Sequence, residues 1–122
     1  MEELINKKCV PCEGGTVPMK QEDVLKYLGH VQGWKAEEDR SIVKEFRKKN
    51  FREAILFVQH IGELAENEGH HPDILLHNWN RVRITLSTHA ISGLSENDFI
   101  LAAKIDRLND ADSSKSTMAL DK

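Results

Sequence analysis

The chain has 122 residues, a length that suits one domain with one hydrophobic core. Charged residues make up 30% of the chain and balance to a formal net charge of −3, so it lacks the basic field that binding to a phosphate backbone requires. We therefore expect no direct binding to nucleic acid.

The two ends and the cysteines indicate the compartment. Neither end carries a run of about 18 apolar residues, and residues 1–4 are acidic where a secretory signal is basic and then apolar. The two cysteines, Cys9 and Cys12, are too few for the disulfide framework of a small secreted domain. We expect a soluble, cytoplasmic protein without a membrane segment.

The first part of the chain predicts an arm, a helix and a hairpin. Residues 1–19 contain prolines and glycines that break regular structure, so we expect an irregular N-terminal arm lying over the domain. From Gln21, apolar residues at helical spacing predict a short helix that ends near Gly29 to Gly33. Two short runs, residues 34–37 and 41–46, then predict a hairpin.

The long helix that follows has the best-marked ends. Asn50 can cap it and Glu53 can reach back to the cap, an arrangement that satisfies two backbone donors. Apolar residues keep helical spacing from Phe51 to Ala65. Gly69 suits the left-handed residue that commonly ends a helix.

The last part of the chain predicts a second hairpin and a third helix. Pro72 prevents the long helix from resuming, and apolar residues alternate over residues 74–86. Ser95 is a good N-cap for a third helix, whose apolar stripe ends at Leu108. Residues 109–122 are small, polar and aperiodic, so we expect a flexible tail.

The order helix, strand, strand, helix, strand, strand, helix predicts an α+β fold. Its two layers would be a four-stranded antiparallel sheet and three helices packed on one face. We place this single domain at residues 20–108. Such a sheet leaves an edge strand unpaired, and because a second subunit commonly covers such edges, we expect a homo-oligomer.

Three of the six histidines lie close together in the second half of the chain. His70 and His71 follow the C-terminus of the long helix, where partial negative charge favours a protonated imidazole. Glu66 precedes them by one turn, and the predicted strands bring His89 towards them. A histidine titrates near about pH 6.5, so this cluster can supply an acid and a base. The alternatives are turn residues before a proline and a surface histidine in a linker.

Asp98 permits two interpretations. Three residues after Ser95, it completes a capping box. It also lies on the apolar stripe of the third helix, where a carboxylate can orient a histidine, for which we take His89. Trp34 and Trp79 have the ring for stacking on a flat heterocycle, although buried area is the more frequent role of tryptophan.

A metal site is the other chemistry that these residues suggest. A zinc site at Cys9 and Cys12 needs two further ligands, and the chain has no second cysteine pair. The neighbouring histidines His70 and His71 point in different directions and lack the spacing of a zinc motif. We therefore expect no metal.

The spaced pattern of these residues resembles a known family. The pattern is Glu66-x3-His70-His71-Pro72-x6-Trp79-x9-His89-x8-Asp98. It resembles the pterin-4a-carbinolamine dehydratase family, also known as the dimerisation cofactor of a homeodomain transcription factor. The resemblance covers residues 20–108 and extends to the leading Cys9-Val-Pro-Cys12 unit. The spacing between Pro72 and Trp79 resembles that of bacterial and plant members.

The resemblance implies a fold of the predicted kind, a dimer or tetramer, and a lyase. The lyase dehydrates 4a-hydroxytetrahydropterin to quinonoid dihydropterin in tetrahydrobiopterin recycling, by acid and base catalysis without a cofactor. By position, the catalytic residues are His70, His71 and His89. The substrate-binding residues are Glu66, Gly69, His70, His71, Pro72, Ser87, Thr88, His89 and Asp98. The alternative function is a dimerisation or coactivator scaffold that binds a helical protein partner.

We assign different roles to the three histidines from their positions in the chain. His70 and His89 are assigned to proton transfer, and His71 to holding and shaping the pterin. Gly69 stands where some members of the family have an acidic residue, so one contact of that position with the pterin is not expected here.

Overall fold

The structure, a computed structural model, describes residues 4–9 and 17–120. It has the predicted α+β fold, with three α-helices, a four-stranded antiparallel sheet and two short 3-10 turns in its described part. In chain order the elements are a 3-10 turn at Leu4–Asn6, α1 at Gln21–Leu28, β1 at Lys35–Glu37, β2 at Ser41–Arg47, α2 at Phe51–Glu68, β3 at Asp73–His77, β4 at Arg81–Leu86, a 3-10 turn at His89–Ile91 and α3 at Glu96–Leu120.

The sheet has the strand order β1-β2-β4-β3, with every neighbouring pair antiparallel. Ile42 of β2 pairs with Leu86 of β4, and Asp73 at the start of β3 pairs with Thr85. The end of β4 therefore lies beside the start of β3. The segments before β3 and after β4, which carry the three clustered histidines, meet at this end of the sheet.

The hydrophobic core lies between one face of the sheet and the helices. Ile84 of β4 is buried on this face, whereas Arg83 points to the opposite, exposed face. This alternation is typical of a sheet that is covered on one side. Phe57 of α2 and Phe99 of α3 are completely buried, and the ring of Phe57 packs edge-on against Phe46 with centroids 5.0 Å apart.

Both ends of α2 lie at the predicted residues. Asn50 Oδ1 accepts a hydrogen bond of 2.8 Å from the backbone N–H of Glu53. At the other end, Gly69 is left-handed with φ +67°, and its N–H donates to the Ala65 carbonyl over 2.9 Å. A residue with a Cβ would be strained in this conformation. Gly69 thus ends the helix and directs His70 towards the start of β3.

The N-terminal arm is built into the domain. Leu4 and Cys9 are buried and belong to the same hydrophobic core as the helices and the sheet. Lys7 Nζ donates to Glu96 Oε2 over 2.7 Å and ties the arm to the first turn of α3. The domain bounds 20–108 remain a prediction, but these contacts show that residues before 20 contribute to the core.

The third helix is longer than predicted. We expected it to end at Leu108 and a flexible tail to follow, but α3 continues to Leu120. The end predicted at Leu108 was wrong because residues 109–120 contain no glycine or proline, the two residue types that stop a helix most strongly. Across the described ranges, no helix combines the length and the apolar character that crossing a membrane requires.

Candidate active site

His70 and Asp98 form the centre of the candidate site. His70 Nε2 lies 2.6 Å from Asp98 Oδ1, and the two side chains are 11% and 0% exposed. His70 is held by the turn at Gly69, and Asp98 lies in the first turn of α3. Hydrogen bonds to an ionised carboxylate are short and strong, so a fully buried aspartate fixes the imidazole ring firmly.

The second oxygen of Asp98 is also satisfied within the protein. Oδ2 accepts a hydrogen bond of 2.8 Å from Thr88 Oγ1 and one of 3.0 Å from the backbone N–H of Ser95. The hydroxyls of Thr88 and Ser95 lie 2.8 Å apart. Asp98 therefore contributes to the cap of α3 and contacts a histidine at the same time.

The histidine that Asp98 orients is His70, and the expectation that it orients His89 was wrong. The backbone of Thr88 pairs with Gly93 through hydrogen bonds of 2.8 and 3.4 Å, so the Thr88 side chain points inwards to Asp98. His89, the next residue, begins a 3-10 turn and is exposed. Sequence analysis did not identify the support that Ser95 gives to the site beyond its role as a cap.

The bond to Asp98 determines which ring nitrogen of His70 is free. When Nε2–H donates to the carboxylate, Nδ1 is the nitrogen that can accept or release a proton. The His70 side chain is 11% exposed, so a small part of it lies at the surface of the domain.

His71 has a different environment. Its Nε2 lies 2.5 Å from Glu66 Oε2, and the histidine side chain is 62% exposed. A contact between exposed side chains is screened by water and contributes little to stability. The pair therefore orients His71 only loosely after the end of α2, and its role in pterin binding stays a prediction.

A surface depression of about 240 Å³ adjoins this cluster at the end of β4. Its lining consists of Arg40, Ser41, Ser87, Thr88, His89, Ser92 and Gly93. Predicted site residues Ser87 and His89 therefore share one concave surface. Arg40 was not predicted, although the antiparallel pairing of β2 with β4 places the residue before Ser41 opposite the residues after β4.

The other residues assigned from the sequence have diverse positions. Thr88 and Asp98 are buried and bonded within the protein, so any contact that they make with substrate remains a prediction. Pro72 is half-buried before β3.

The two tryptophans lie away from the candidate site. Trp34 is buried, with Nε1 3.1 Å from an oxygen of Asp106, and Trp79 lies at the other end of the β3–β4 hairpin. Neither tryptophan is placed to stack on a ligand beside His70.

The environment of Cys9 does not favour metal binding. Burial, reinforced by the charge of Glu68, raises the pKa of the Cys9 thiol to about 12, so the thiol is protonated at neutral pH. Zinc takes the thiolate, which this environment disfavours. Cys12 lies outside the described residues. Among residues 4–9 and 17–120, no three side chains of His, Cys, Asp or Glu are grouped to hold a metal ion.

Comparison with known proteins gives consistent similarities. Residues 17–108 match the family model described as pterin 4 alpha carbinolamine dehydratase. A protein of Alkaliphilus metalliredigens, provisionally named a pterin-4-alpha-carbinolamine dehydratase, is 48% identical over 108 residues, which cover 88% of this chain and 96% of the relative. Pterin-4-alpha-carbinolamine dehydratase 2, mitochondrial, of Arabidopsis thaliana is 44% identical over 112 residues, covering 88% of this chain and 60% of the relative.

A solved structure has the same fold. The crystal structure of a transcriptional coactivator/pterin dehydratase from Brucella melitensis superposes with a TM-score of 0.69 at 30% identity. The superposition covers 74% of this chain and 96% of the Brucella chain.

Proposed function

This chain belongs to the pterin-4-alpha-carbinolamine dehydratase family, and we propose that it dehydrates 4a-hydroxytetrahydropterin to quinonoid dihydropterin. The observation that carries this proposal is the hydrogen bond between His70 and the buried Asp98, next to the depression lined by His89. A dehydration requires an acid and a base, and this bond supports His70 as one of them.

The reaction needs two proton transfers and no change in oxidation state. The C4a–O bond breaks as the hydroxyl group receives a proton and leaves as water. N5 loses its proton, and the electron pair of the broken N5–H bond forms the C4a–N5 double bond. An acid and a base are therefore sufficient, and positioned histidines are the commonest side chains for both roles.

We assign these two transfers to His70 and His89. Asp98 holds the His70 ring in one tautomer and balances the charge that the ring carries when it is protonated. His71, held by Glu66, contacts the pterin and contributes mainly to binding. Ser87 lines the depression beside His89 and contributes polar contacts to the pterin.

We also propose the cofactor requirement, the cellular compartment and the oligomeric state of the enzyme. It works without a metal or an organic cofactor, because proton transfer alone completes the reaction. It recycles tetrahydrobiopterin in the cytoplasm, a reducing environment that suits a chain with two cysteines. It assembles as a homodimer or a homotetramer, because β1 and β3 are the open edges of the sheet.

A second candidate function is a scaffold that binds a helical protein partner. The name of the Brucella structure, a transcriptional coactivator/pterin dehydratase, favours this candidate. So does the exposure of Phe51, Ile55 and Leu56 on α2, since exposed apolar side chains on one helix suit a helical partner. In this case the histidines would be secondary.

The test is a direct assay of carbinolamine breakdown. The purified protein is added to freshly generated 4a-hydroxytetrahydropterin in the presence of EDTA, and the loss of substrate is followed by absorbance. We expect a rate well above the spontaneous rate, retained by a His30→Ala variant that changes an exposed histidine outside the cluster. A rate equal to that of buffer would reject the dehydratase and favour the scaffold.

A further inference from the structure

Glu68 joins three separate segments of the chain next to the candidate site. Its Oε2 accepts a hydrogen bond of 2.7 Å from Lys104 Nζ on α3, and its Oε1 accepts one of 2.9 Å from the backbone N–H of Cys9 in the N-terminal arm. The Glu68 and Lys104 side chains are only 9% and 17% exposed. This is a largely enclosed ion pair, in contrast to the exposed contact between Glu66 and His71.

The positions of these residues relate them directly to His70 and Asp98. Glu68 precedes His70 by two residues, with the helix-ending Gly69 between them, and Lys104 follows Asp98 on α3. The end of α2 and the beginning of α3 are therefore bridged twice, by Glu68–Lys104 and by His70–Asp98. Two bridges fix the separation of the helices better than one.

The N-terminal arm contacts both sides of this junction. Lys8 Nζ donates to the Asn67 carbonyl over 2.9 Å, and the Cys9 thiol lies 3.6 Å from the carbonyl of Asn97, the residue before Asp98. The arm thus spans the last turn of α2 and the first turn of α3. Two carboxylates anchor the arm at this junction: Glu68 accepts from the Cys9 N–H, and Glu96 accepts from Lys7 Nζ.

The charge of Glu68 is stable at neutral pH. Burial raises the pKa of the carboxyl, but the hydrogen bonds from Lys104 and from the Cys9 N–H outweigh burial and lower it below its ordinary value. The ion pair is therefore fully formed at the pH where the dehydratase would work.

We propose that Glu68 is a positioning residue, which acts through Lys104 and the arm to hold His70 at hydrogen-bonding distance from Asp98. For its effect on turnover, this inference rests on the proposed role of His70 in proton transfer. Without the ion pair between Glu68 and Lys104, the end of α2 can move relative to α3 and the His70 imidazole loses its fixed orientation. Misplacing a catalytic group by about 1 Å can lower a rate by about 10²-fold.

The test uses two variants that break the pair from opposite sides. Glu68→Gln keeps an acceptor for the Cys9 N–H and replaces the charged acceptor of Lys104 by a neutral NH₂ group, and Lys104→Met removes the partner. Lys104→Arg keeps the ion pair, and Glu63→Gln is the matched control, because Glu63 is an exposed glutamate on the same helix. The readouts are kcat, KM and the NMR chemical shifts of the His70 imidazole nitrogens and protons.

We expect both disruptive variants to lower kcat by about tenfold with little change in KM, because the residues proposed to contact the pterin are untouched. The imidazole signals of His70 should shift or broaden in the same two variants. Lys104→Arg and Glu63→Gln should resemble the wild type in both readouts.

Three other results are informative. Variants that melt at lower temperature but keep kcat and the His70 signals would show that the pair only stabilises the fold, and would overturn the proposal. Unchanged kcat and signals without any loss of stability would overturn it too. If the wild type shows no dehydratase activity while Glu68→Gln alters the His70 signals, the proposed function fails and the positioning role stands.

Discussion

His70 and Asp98 belong to different segments of the chain, yet their side chains meet at 2.6 Å around a carboxylate that has no exposed surface. Gly69 follows the last residue of α2 and Ser95 precedes the first residue of α3, so the pair joins the end of one helix to the start of the other. Because the carboxylate has two further donors, from Thr88 and Ser95, its position does not depend on the histidine. The aspartate is the fixed member, and the imidazole is placed relative to it.

Asp98→Asn should therefore lower kcat strongly. An amide cannot balance a charged imidazole, and its NH₂ group competes for the place of an acceptor. We expect a loss of about 10²-fold, at the lower end of the effect of acid–base groups. Steady-state kinetics with circular dichroism separate this loss from misfolding, and Asp23→Asn in the first turn of α1 is the control. A folded Asp98→Asn variant with wild-type kcat would reject the role.

His70→Ala and His89→Ala should each lower kcat, by about 10²–10⁴-fold if each is the only acid or base at its step. Smaller single effects would still agree with the assignment if the double variant loses most of its activity, because one histidine can substitute for the other. The measurement is the kcat of both single variants and of the double variant. A double variant that keeps the wild-type kcat would exclude these residues as the catalysts.

His71→Ala should raise KM more than it lowers kcat. In the proposed mechanism the exposed His71 contributes binding that is common to substrate and transition state, and losing such binding weakens affinity without slowing the chemical step. Initial rates over a range of carbinolamine concentrations measure both constants. The assignment is wrong if KM stays constant and kcat falls as far as in His70→Ala.

Glu96 should make stability depend on pH in the acid range. Its hydrogen bond from Lys7 lowers the pKa of the Glu96 carboxyl, despite partial burial, and the Tyr27 hydroxyl adds to this. The folded-state pKa is below the usual 4.5, so the stabilisation is present above about that pH and is lost as the pH falls through the folded-state pKa.

Glu96→Gln should accordingly cost no more than about 1 kcal/mol of unfolding free energy at pH 7, since the pair is partly exposed. Once the pH lies below the lowered folded-state pKa of Glu96, the variant and the wild type should converge. Urea unfolding at several pH values measures the difference, and Lys7→Met should show the same trend. A difference that does not change between neutral and acid pH would contradict the linkage.

The protein should sediment as a homo-oligomer. The sheet has two open edges, and α2 exposes Phe51, Ile55 and Leu56 on one side. Ile55→Lys should weaken assembly if this side of α2 lies in the interface, whereas Leu25→Lys, at an exposed leucine of α1, should not. Sedimentation equilibrium that shows only a species near 13.9 kDa at micromolar concentration would contradict the prediction.

Local signals predicted much of the fold because they act within a few residues. Asn50, Gly69 and Pro72 mark the ends of elements by backbone chemistry that no distant contact has to supply. The end of α3 was missed because polarity was taken as a stop signal where no residue breaks the helix. Small polar residues lower helix propensity without preventing a helix.

The site was predicted as a cluster but not as a set of bonds. The predicted strand order placed His70 and His89 at one end of the sheet, and the predicted partner of Asp98 was His89. The choice between them depends on the pairing of Thr88 with Gly93, which sends one side chain inwards and the next outwards. The ion pair between Glu68 and Lys104 was not predicted from the sequence for a related reason, because it depends on how α2 and α3 pack.

Ser95 and His70 both bond to the carboxylate of Asp98, and this limits which amino-acid substitutions the protein tolerates at that position. A substitution at Asp98 removes the N-terminal cap of α3 together with the partner of His70, so a deep mutational scan should show cellular abundance and catalytic output falling together at this position. At His71, which supports no buried group, abundance should persist while output falls. Natural drift could therefore change ligand preference through His71 far more freely than through Asp98.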